Sequence, residues 1–175
     1  MHKLFKPNLT PKEIIRLGSF GGTYFHPTDR NLDIDVNEFP ADWFEGLPTE
    51  FYYSKKYLRK INYFKTKCGQ SLEEWERKGW INPIDPRGWF QWYCRYYMGR
   101  RCEDDDRQIR RWLNFAGEAG RWRNYIYSQI YKKGGDINDE SYSLGARQSL
   151  LHWGYKVNQE DYQKWKNKHQ KSCVT

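Results

Sequence analysis

The chain has 175 residues, and 30 lysines and arginines against 22 acidic residues give it a formal net charge of +8. Aromatic residues make up 18% of the chain, enough ring surface to offset chain entropy, which excludes an aromatic-poor disordered protein. No run approaches about 18 apolar residues, so no membrane-spanning helix is predicted. The length fits a single domain over residues 1–175, without a repeat or a Ser/Gly linker.

The N-terminal part, residues 1–50, predicts one short helix followed by loops. Thr10, with Pro11 after it and Glu13 three positions on, is typical of a capping box, and Gly18 is placed to end the helix. The stretch that follows is rich in Gly, Pro and Asp, which predicts loop with at most a short hairpin and a helical turn or two in PADWFEGL. We therefore expect a loop-rich N-terminal third.

Charge is distributed unevenly along the chain. Residues 18–50 contain seven acidic residues and one arginine, whereas residues 51–70 contain six basic residues and no acidic one. Residues 86–133 contain eleven basic and five acidic residues. If the acidic stretch pairs with part of the basic surface, one concentrated positive patch remains.

The part from 51 to 170 is basic, aromatic and predicted to be helical. Residues 49–67 have helix propensity, although their rings also permit strands. Six clearer helices follow, each marked by a capping residue or a terminal glycine. Their predicted bounds are 71–80 after the cap Ser71, 86–100 with Asp85 as N-cap and Pro86 in the first turn, 106–117 after the acidic run 103–106, 121–133 between Gly120 and Gly134, 143–154, and 158–170 with Asn158 as cap. The predicted fold is a mainly α, single compact helical domain.

The helix near 105–116 has two distinct faces. Ile109 and Trp112 begin an apolar stripe, and Arg107, Arg110 and Arg111 lie about 200° away from it. An ordinary solvated face explains such arginines equally well, but the guanidinium fork also suits phosphates and base edges. A short glycine-containing turn leads to the next helix, so 104–133 has the outline of a helix-turn-helix-like pair, a pattern that most often does not touch DNA.

The segment 86–101 has the highest density of rings. An aromatic stripe at helical spacing is usually core, yet rings beside arginines are also typical of a stacking platform or of a pocket for one flipped base. The residues predicted to contact nucleic acid are Arg87, Trp89, Trp92, Arg95, Tyr96, Arg100, Arg101, Arg107, Arg110, Arg111, Arg121, Arg123 and Asn124.

A family resemblance rests on the segments LGSFGGTYF, FPADWFEGL, KCGQSLEEWERKGWI, DPRGWFQWYCRYYMGRR, DDRQIRRW and LLHWGY. Together they resemble the landmarks of an uncharacterised family from fungi, plants, bacteria and large DNA viruses. The resemblance spans most of residues 17–155. It implies a shared ancient domain and no particular activity, so it assigns no catalytic residue.

Catalytic motifs with a known spacing are absent from the sequence, which has no nucleophile elbow, Walker loop or zincin helix. Gly21, Gly22 and Thr23 are a candidate phosphate loop, although a plain turn is the commoner use of Gly-Gly. Asp85 is a weak candidate for a catalytic base and more typical of an N-cap. His26, near Asp33 and Asp35, is a weak candidate for acid–base chemistry, and a solvated loop histidine explains it as well.

Metals, cofactors and membranes are not expected. The four cysteines form no C-x-x-C pair and the four histidines lack finger spacing, so no metal site is predicted. The N-terminus lacks a secretory h-region, which favours reduced thiols and an intracellular location, cytoplasm or nucleus.

The leading functional hypothesis is an intracellular nucleic-acid-binding protein, with DNA favoured over RNA as the partner. The first alternative is an enzyme acting on a nucleotide, a modified base or a small anionic substrate in a cleft between the N-terminal loops and the 86–101 helix. The second alternative is a protein-interaction module that uses exposed Trp and Arg residues.

Overall fold

The computed structural model describes residues 2–27 and 34–172, and this part of the chain is mainly α-helical. Seven α-helices and four single 3₁₀ turns occur in it, with one isolated antiparallel bridge between Asn82 and Asp85 and no strand. The helices are α1 (Pro11–Arg16), α2 (Leu72–Arg77), α3 (Trp89–Tyr97), α4 (Asp105–Phe115), α5 (Arg121–Lys133), α6 (Leu144–His152) and α7 (Gln159–Ser172). None of these helices has the length and apolar character needed to cross a bilayer.

The predicted capping boxes of α1 and α2 are confirmed. Thr10 Oγ1 accepts from Glu13 N at 3.2 Å, while the Glu13 carboxylate accepts from Thr10 N at 2.7 Å. Ser71 and Glu74 make the same reciprocal pair at α2. These helix starts follow from residues three positions apart, which is why the sequence alone locates them.

The predicted start of α3 is wrong. The helix begins at Trp89 with Gly88 as N-cap, because the Asp85 side chain does not cap and is instead held by Arg95 and Arg100. Gly88 has φ +83°, and a Cβ there would lie 3.1 Å from the Trp75 ring, so glycine suits both the backbone angle and the close approach.

The helix propensity of residues 49–67 is not realised. Only the single turns Thr49–Phe51 and Arg59–Ile61 form there. The backbone of this segment bonds instead to the N-terminal loop: Leu58 N donates to Gly21 O at 2.8 Å and Tyr63 N to Leu17 O at 3.1 Å. These long-range bonds satisfy donors that a helix would have used internally.

The aromatic stripe of α3 forms the centre of one hydrophobic core. Trp92 is fully buried, and the Phe5 ring lies 5.1–6.4 Å from five ring centroids, mostly edge-on. The Trp92 indole donates to Asp105 at 2.8 Å, which ties α3 to the start of α4. Most rings of this stripe therefore belong to the hydrophobic core, as is usual for an aromatic stripe at helical spacing.

Both helices of the α4–α5 pair pack against the rest of the domain. Ile126 and Ile130 of α5 are fully buried. The same buried side of α5 also meets α7, where Arg123, three positions before Ile126, pairs with Asp161 at 3.2 Å. Much of the second helix of the pair is consequently covered within the described chain.

Candidate functional site

A cavity of about 510 Å³ lies between the N-terminal end of α3, the α4–α5 pair, α6 and the loops that carry Phe20 and Cys68. Its walls are mainly aromatic and include the rings of Trp75, Trp80, Trp89, Trp122 and Trp153. Three arginines, Arg87, Arg111 and Arg121, also line it. No carboxylate belongs to this lining in the part of the chain that the structure describes. Aromatic faces and cations thus enclose a space of small-molecule size.

Arg111 on α4 is the most informative of the three arginines. Its Nη1 donates to the Trp80 carbonyl at 3.1 Å and to Gln108 Oε1 at 3.0 Å. The guanidinium lies over the indoles of Trp80 and Trp153, 5.8 and 5.4 Å from their centroids. Within residues 2–27 and 34–172 no carboxylate oxygen lies within 4.0 Å of it.

The charge of Arg111 is poorly solvated. Burial, with Arg107 nearby, lowers the pKa of Arg111 to about 10. The group therefore remains charged at neutral pH, and the carboxylate of Asp104, which raises its pKa, lies beyond ion-pair distance. An anionic ligand entering the cavity would supply the counter-charge.

Arg121 opens α5 at the rim of the same cavity. It is exposed, and its guanidinium lies 5.2 Å from the Trp122 ring centroid. Because it is the first residue of a 13-residue helix, it stands where the helix dipole also favours negative charge. Arg111 and Arg121 thus make one side of the cavity attractive to anions.

Arg87 lies in the wall between this cavity and a second, adjoining cavity. The residue is 8% exposed; its guanidinium donates to the Tyr24 carbonyl, and the Tyr24 hydroxyl donates to Arg87 O at 2.9 Å. The guanidinium also lies 5.5 Å from the Tyr24 ring centroid. These contacts fix its position, so it contributes charge from a rigid wall.

Cys68 and His152 lie together in the cavity although they are 84 residues apart. His152 Nε2 lies 2.6 Å from Ser19 O, so Nε2 carries the proton, and Cys68 Sγ lies 3.8 Å from Nδ1 and 3.7 Å from Nε2. Burial lowers the pKa of His152 to about 4 and raises the pKa of Cys68 to about 11. Both groups are neutral at pH 7, which gives this part of the cavity hydrogen-bonding groups without charge.

The remaining predicted nucleic-acid contacts do not line this cavity. Most of the arginines are in ion pairs, Trp92 and Tyr96 belong to the core, and Asn124 caps the turn before α5 and accepts from the Trp165 indole at 2.6 Å. The paired arginines are Arg95 with Glu38 and Asp85, Arg100 with Asp85, Arg107 with Asp104, and Arg123 with Asp161. Arg101 packs 3.9 Å from the Tyr96 ring centroid, and Arg110 is exposed. Of the thirteen residues, Arg87, Trp89, Arg111 and Arg121 line the aromatic cavity, while Arg123 and Asn124 line a separate cavity beside α7.

The segment Gly21, Gly22 and Thr23 is a packed turn. The amides of Gly21 and Thr23 donate to Gly18 O and Phe20 O, and the Gly22 carbonyl accepts from Ser54 N at 2.8 Å. A Cβ on Gly22 would lie 2.0 Å from a carbonyl oxygen, so close backbone packing explains the glycine. Two of the three amides are thus unavailable to a phosphate.

The two weak catalytic candidates lie outside the aromatic cavity. Asp85 is fully buried between Arg95 and Arg100, where a substrate cannot reach it. His26 contacts the Tyr53 ring at 5.2 Å and lines an adjoining chamber. Of its proposed neighbours, Asp33 lies outside the described residues, and the Asp35 side chain accepts from Asn37 N at 2.8 Å as the cap of a single turn.

Sequence reasoning overlooked Cys68, His152 and the indole of Trp153. No local motif marks them, because long-range packing alone brings their segments together. In the described ranges no three His, Cys, Asp or Glu side chains converge as metal ligands. Comparison of the chain with models of protein families, with curated proteins and with solved structures found no match.

Proposed function

We propose that the protein binds nucleic acid by taking an unpaired base into the aromatic cavity, with a phosphate against Arg111 and Arg121. The observation that carries this proposal is the partly desolvated Arg111, held between two indoles in a lining whose described residues include no carboxylate. A ligand that satisfies both features must combine a flat aromatic surface with negative charge. A nucleotide unit has this combination.

The expected energetics favour single strands. Stacking of a base on aromatic side chains contributes about 1–3 kcal/mol per base and tolerates any base, since each has a π face. A base in a duplex must first be unstacked and unpaired, at a cost of about a few kcal/mol. The net charge of +8 adds a salt-dependent attraction to any nucleic acid. Unpaired segments should therefore bind more tightly than duplexes of equal length.

The test is fluorescence anisotropy of labelled single-stranded DNA, the matching RNA and a hairpin duplex across a salt series. The decisive variant is Arg111→Gln, and Arg110→Gln is the matched control because it removes the same charge from the next residue of α4. Arg110 is exposed and does not line the cavity. We expect Arg111→Gln to weaken single-strand binding about tenfold or more, a loss typical of a charge-assisted contact.

The control variant should stay within about twofold of the unmodified protein, since an exposed charge that does not line the cavity acts on the ligand only through screened electrostatics. Circular dichroism should show both variants folded. Absence of binding at low salt, an affinity that ignores salt, or equal losses in the two variants would each overturn the proposal.

Binding is better supported than catalysis at this site. The cavity does lie between Phe20 and Tyr24 of the N-terminal loop and the start of α3, where the enzyme alternative places its substrate. Cys68 and His152, however, start as a neutral thiol and a neutral imidazole. A nucleophilic role needs the thiolate.

A further inference from the structure

Four polar side chains lie along one face at the start of α4. They are spaced i, i+3, i+4 and i+7, which places each one next to the following one on the helix surface, and they are Asp104, Arg107, Gln108 and Arg111. Of the four, Arg111 alone lines the aromatic cavity. The other three therefore act on a ligand in the cavity only through Arg111.

Gln108 connects the carboxylate of Asp104 to the guanidinium of Arg111. Its side chain is fully buried, Nε2 donates to Asp104 Oδ2 at 2.8 Å, and Oε1 accepts from Arg111 Nη1 at 3.0 Å. The direction of the amide is fixed by these neighbours, because a carboxylate only accepts and a guanidinium only donates. A flipped amide would lose both hydrogen bonds inside the protein, so the oxygen is held towards Arg111.

The negative charge of Asp104 is compensated by Arg107. Nε and Nη2 of Arg107 donate to the two carboxylate oxygens at 2.5 and 2.8 Å. Burial alone would raise the pKa of Asp104, but hydrogen bonds from Arg107 and Gln108 outweigh it and hold that pKa below its usual value. Asp104 thus stays ionised, anchors Gln108 and pairs with Arg107 instead of Arg111.

The contacts of Arg111 involve one nitrogen of its guanidinium. Nη1 donates to two neutral oxygens, Gln108 Oε1 and the Trp80 carbonyl. Within residues 2–27 and 34–172, Nε and Nη2 of Arg111 make no hydrogen bond. These two nitrogens form the edge of a guanidinium that binds a phosphate through two parallel hydrogen bonds.

On the basis of the proposed function, we infer that Gln108 is a positioning residue for phosphate binding, which holds Arg111 in place and leaves its charge for the ligand. A glutamate at this position would also reach Arg111, but its carboxylate would form an ion pair and compete with the phosphate. The neutral amide fixes the direction of the guanidinium without this competition.

Two variants separate orientation from charge in the anisotropy assay with single-stranded DNA across a salt series. Gln108→Met keeps an unbranched side chain of similar length and removes both hydrogen bonds. The double variant Asp104→Asn with Gln108→Glu moves one negative charge from Arg107 to Arg111 and leaves the net charge at +8. A change in its salt dependence therefore cannot come from the overall attraction between protein and strand.

We expect Gln108→Met to weaken binding about threefold to tenfold, because a guanidinium that was held in place must then be ordered by the ligand. Its log–log salt slope should stay the same, since Arg111 still reaches the phosphate. The double variant should weaken binding about tenfold and flatten the slope by about 0.7, the change expected when one phosphate contact on a single strand is lost. A purely structural role of Gln108 would leave that slope unchanged.

Gln148→Met is the matched control. Gln148 is also fully buried, with hydrogen bonds at both ends of its amide, to Ser19 O at 2.9 Å and from Phe64 N at 3.2 Å, and it does not line the cavity. This variant should bind single strands within about twofold of the unmodified protein, with the same salt slope. Circular dichroism should show each variant folded, and if the double variant does not fold, Gln108→Met against this control decides.

Equal losses of affinity in Gln108→Met and Gln148→Met would overturn the role of Gln108 while leaving the proposed function in place. An unchanged salt slope in a folded double variant would do the same. Failure of the unmodified protein to bind single strands at low salt, or full affinity in Arg111→Gln, would instead overturn the proposed function itself.

Discussion

Asp85 provides the sharpest test of the packing beneath the cavity. Its carboxylate is fully buried, and Oδ1 accepts from Arg95 Nη1 and from Arg100 Nη1, both at 2.9 Å. Oδ2 accepts from Arg100 Nη2 at 2.5 Å. In Asp85→Asn the shape is kept but the negative charge is lost, and two guanidinium groups then face a neutral amide.

The cost follows from the burial of these groups. Removing one partner of a buried ion pair typically costs about 3–5 kcal/mol, because the remaining charge is left uncompensated. The two arginine side chains are 22% and 25% exposed, and Arg95 keeps its pairing with Glu38. We therefore expect the lower end, about 3 kcal/mol, and a fall in Tm of about 6–12 °C for a chain of this size.

Urea unfolding followed by tryptophan fluorescence measures this loss, with Glu103→Gln as the control. Glu103 is exposed and carries the same charge, so its variant should change the free energy of unfolding by less than about 0.5 kcal/mol. A loss below about 1 kcal/mol in Asp85→Asn would refute the reasoning, because it would mean that the buried carboxylate does little to hold the two arginines.

Three further predictions concern single groups. Gly22→Ala should destabilise the fold by more than about 3 kcal/mol, since its Cβ would lie 2.0 Å from Glu50 O, whereas Gly46→Ala, with open space and φ +67°, should cost about 1 kcal/mol in the same urea assay. The folded pKa of His152 lies near 4, below its unfolded value of 6.5. The free energy of unfolding therefore keeps its full value above pH 6.5 and falls by about 3 kcal/mol as the pH drops towards 4, because the unfolded chain binds the proton more tightly than the folded one. Urea unfolding at several pH values should show this dependence of the unfolding free energy on pH in the unmodified protein and a weaker dependence in His152→Gln. Equal pH dependence in the two proteins would contradict the lowered pKa of His152. Alkylation of Cys68, followed by mass spectrometry, should speed up about tenfold per pH unit from pH 7 to 10, because its pKa is about 11, and a rate that levels off near pH 8 would contradict the burial argument.

The predictable part of the fold is the part that short-range signals determine. Ser71 and Glu74 specify the start of α2 within four residues, and Gly134 ends α5 in the left-handed conformation that glycine favours. The start of α3 could not be predicted in the same way. Asp85 has the local pattern of an N-cap, but its partners Arg95 and Arg100 follow ten and fifteen residues later and outcompete the backbone amides.

The candidate site was predicted only in part. Trp89 and Arg111 were identified from ring density and from an arginine face, and both line the cavity. The pairing of Arg107 is local, because Asp104 lies three positions before it and neutralises it through bonds of 2.5 and 2.8 Å. The surroundings of Arg111 could not be predicted in this way, because the Trp153 indole is brought from 42 residues away by packing of the whole domain.

The carbonyl of Ser19 has a consequence for how the protein is made. It accepts hydrogen bonds from His152 Nε2 at 2.6 Å and from Gln148 Nε2 at 2.9 Å, so the wall that carries Phe20 is secured by α6. During synthesis these partners leave the ribosome more than a hundred residues after Ser19 does. The cavity therefore closes only after α6 has emerged, and a chain that has not yet reached α6 exposes indole surface that the folded domain encloses.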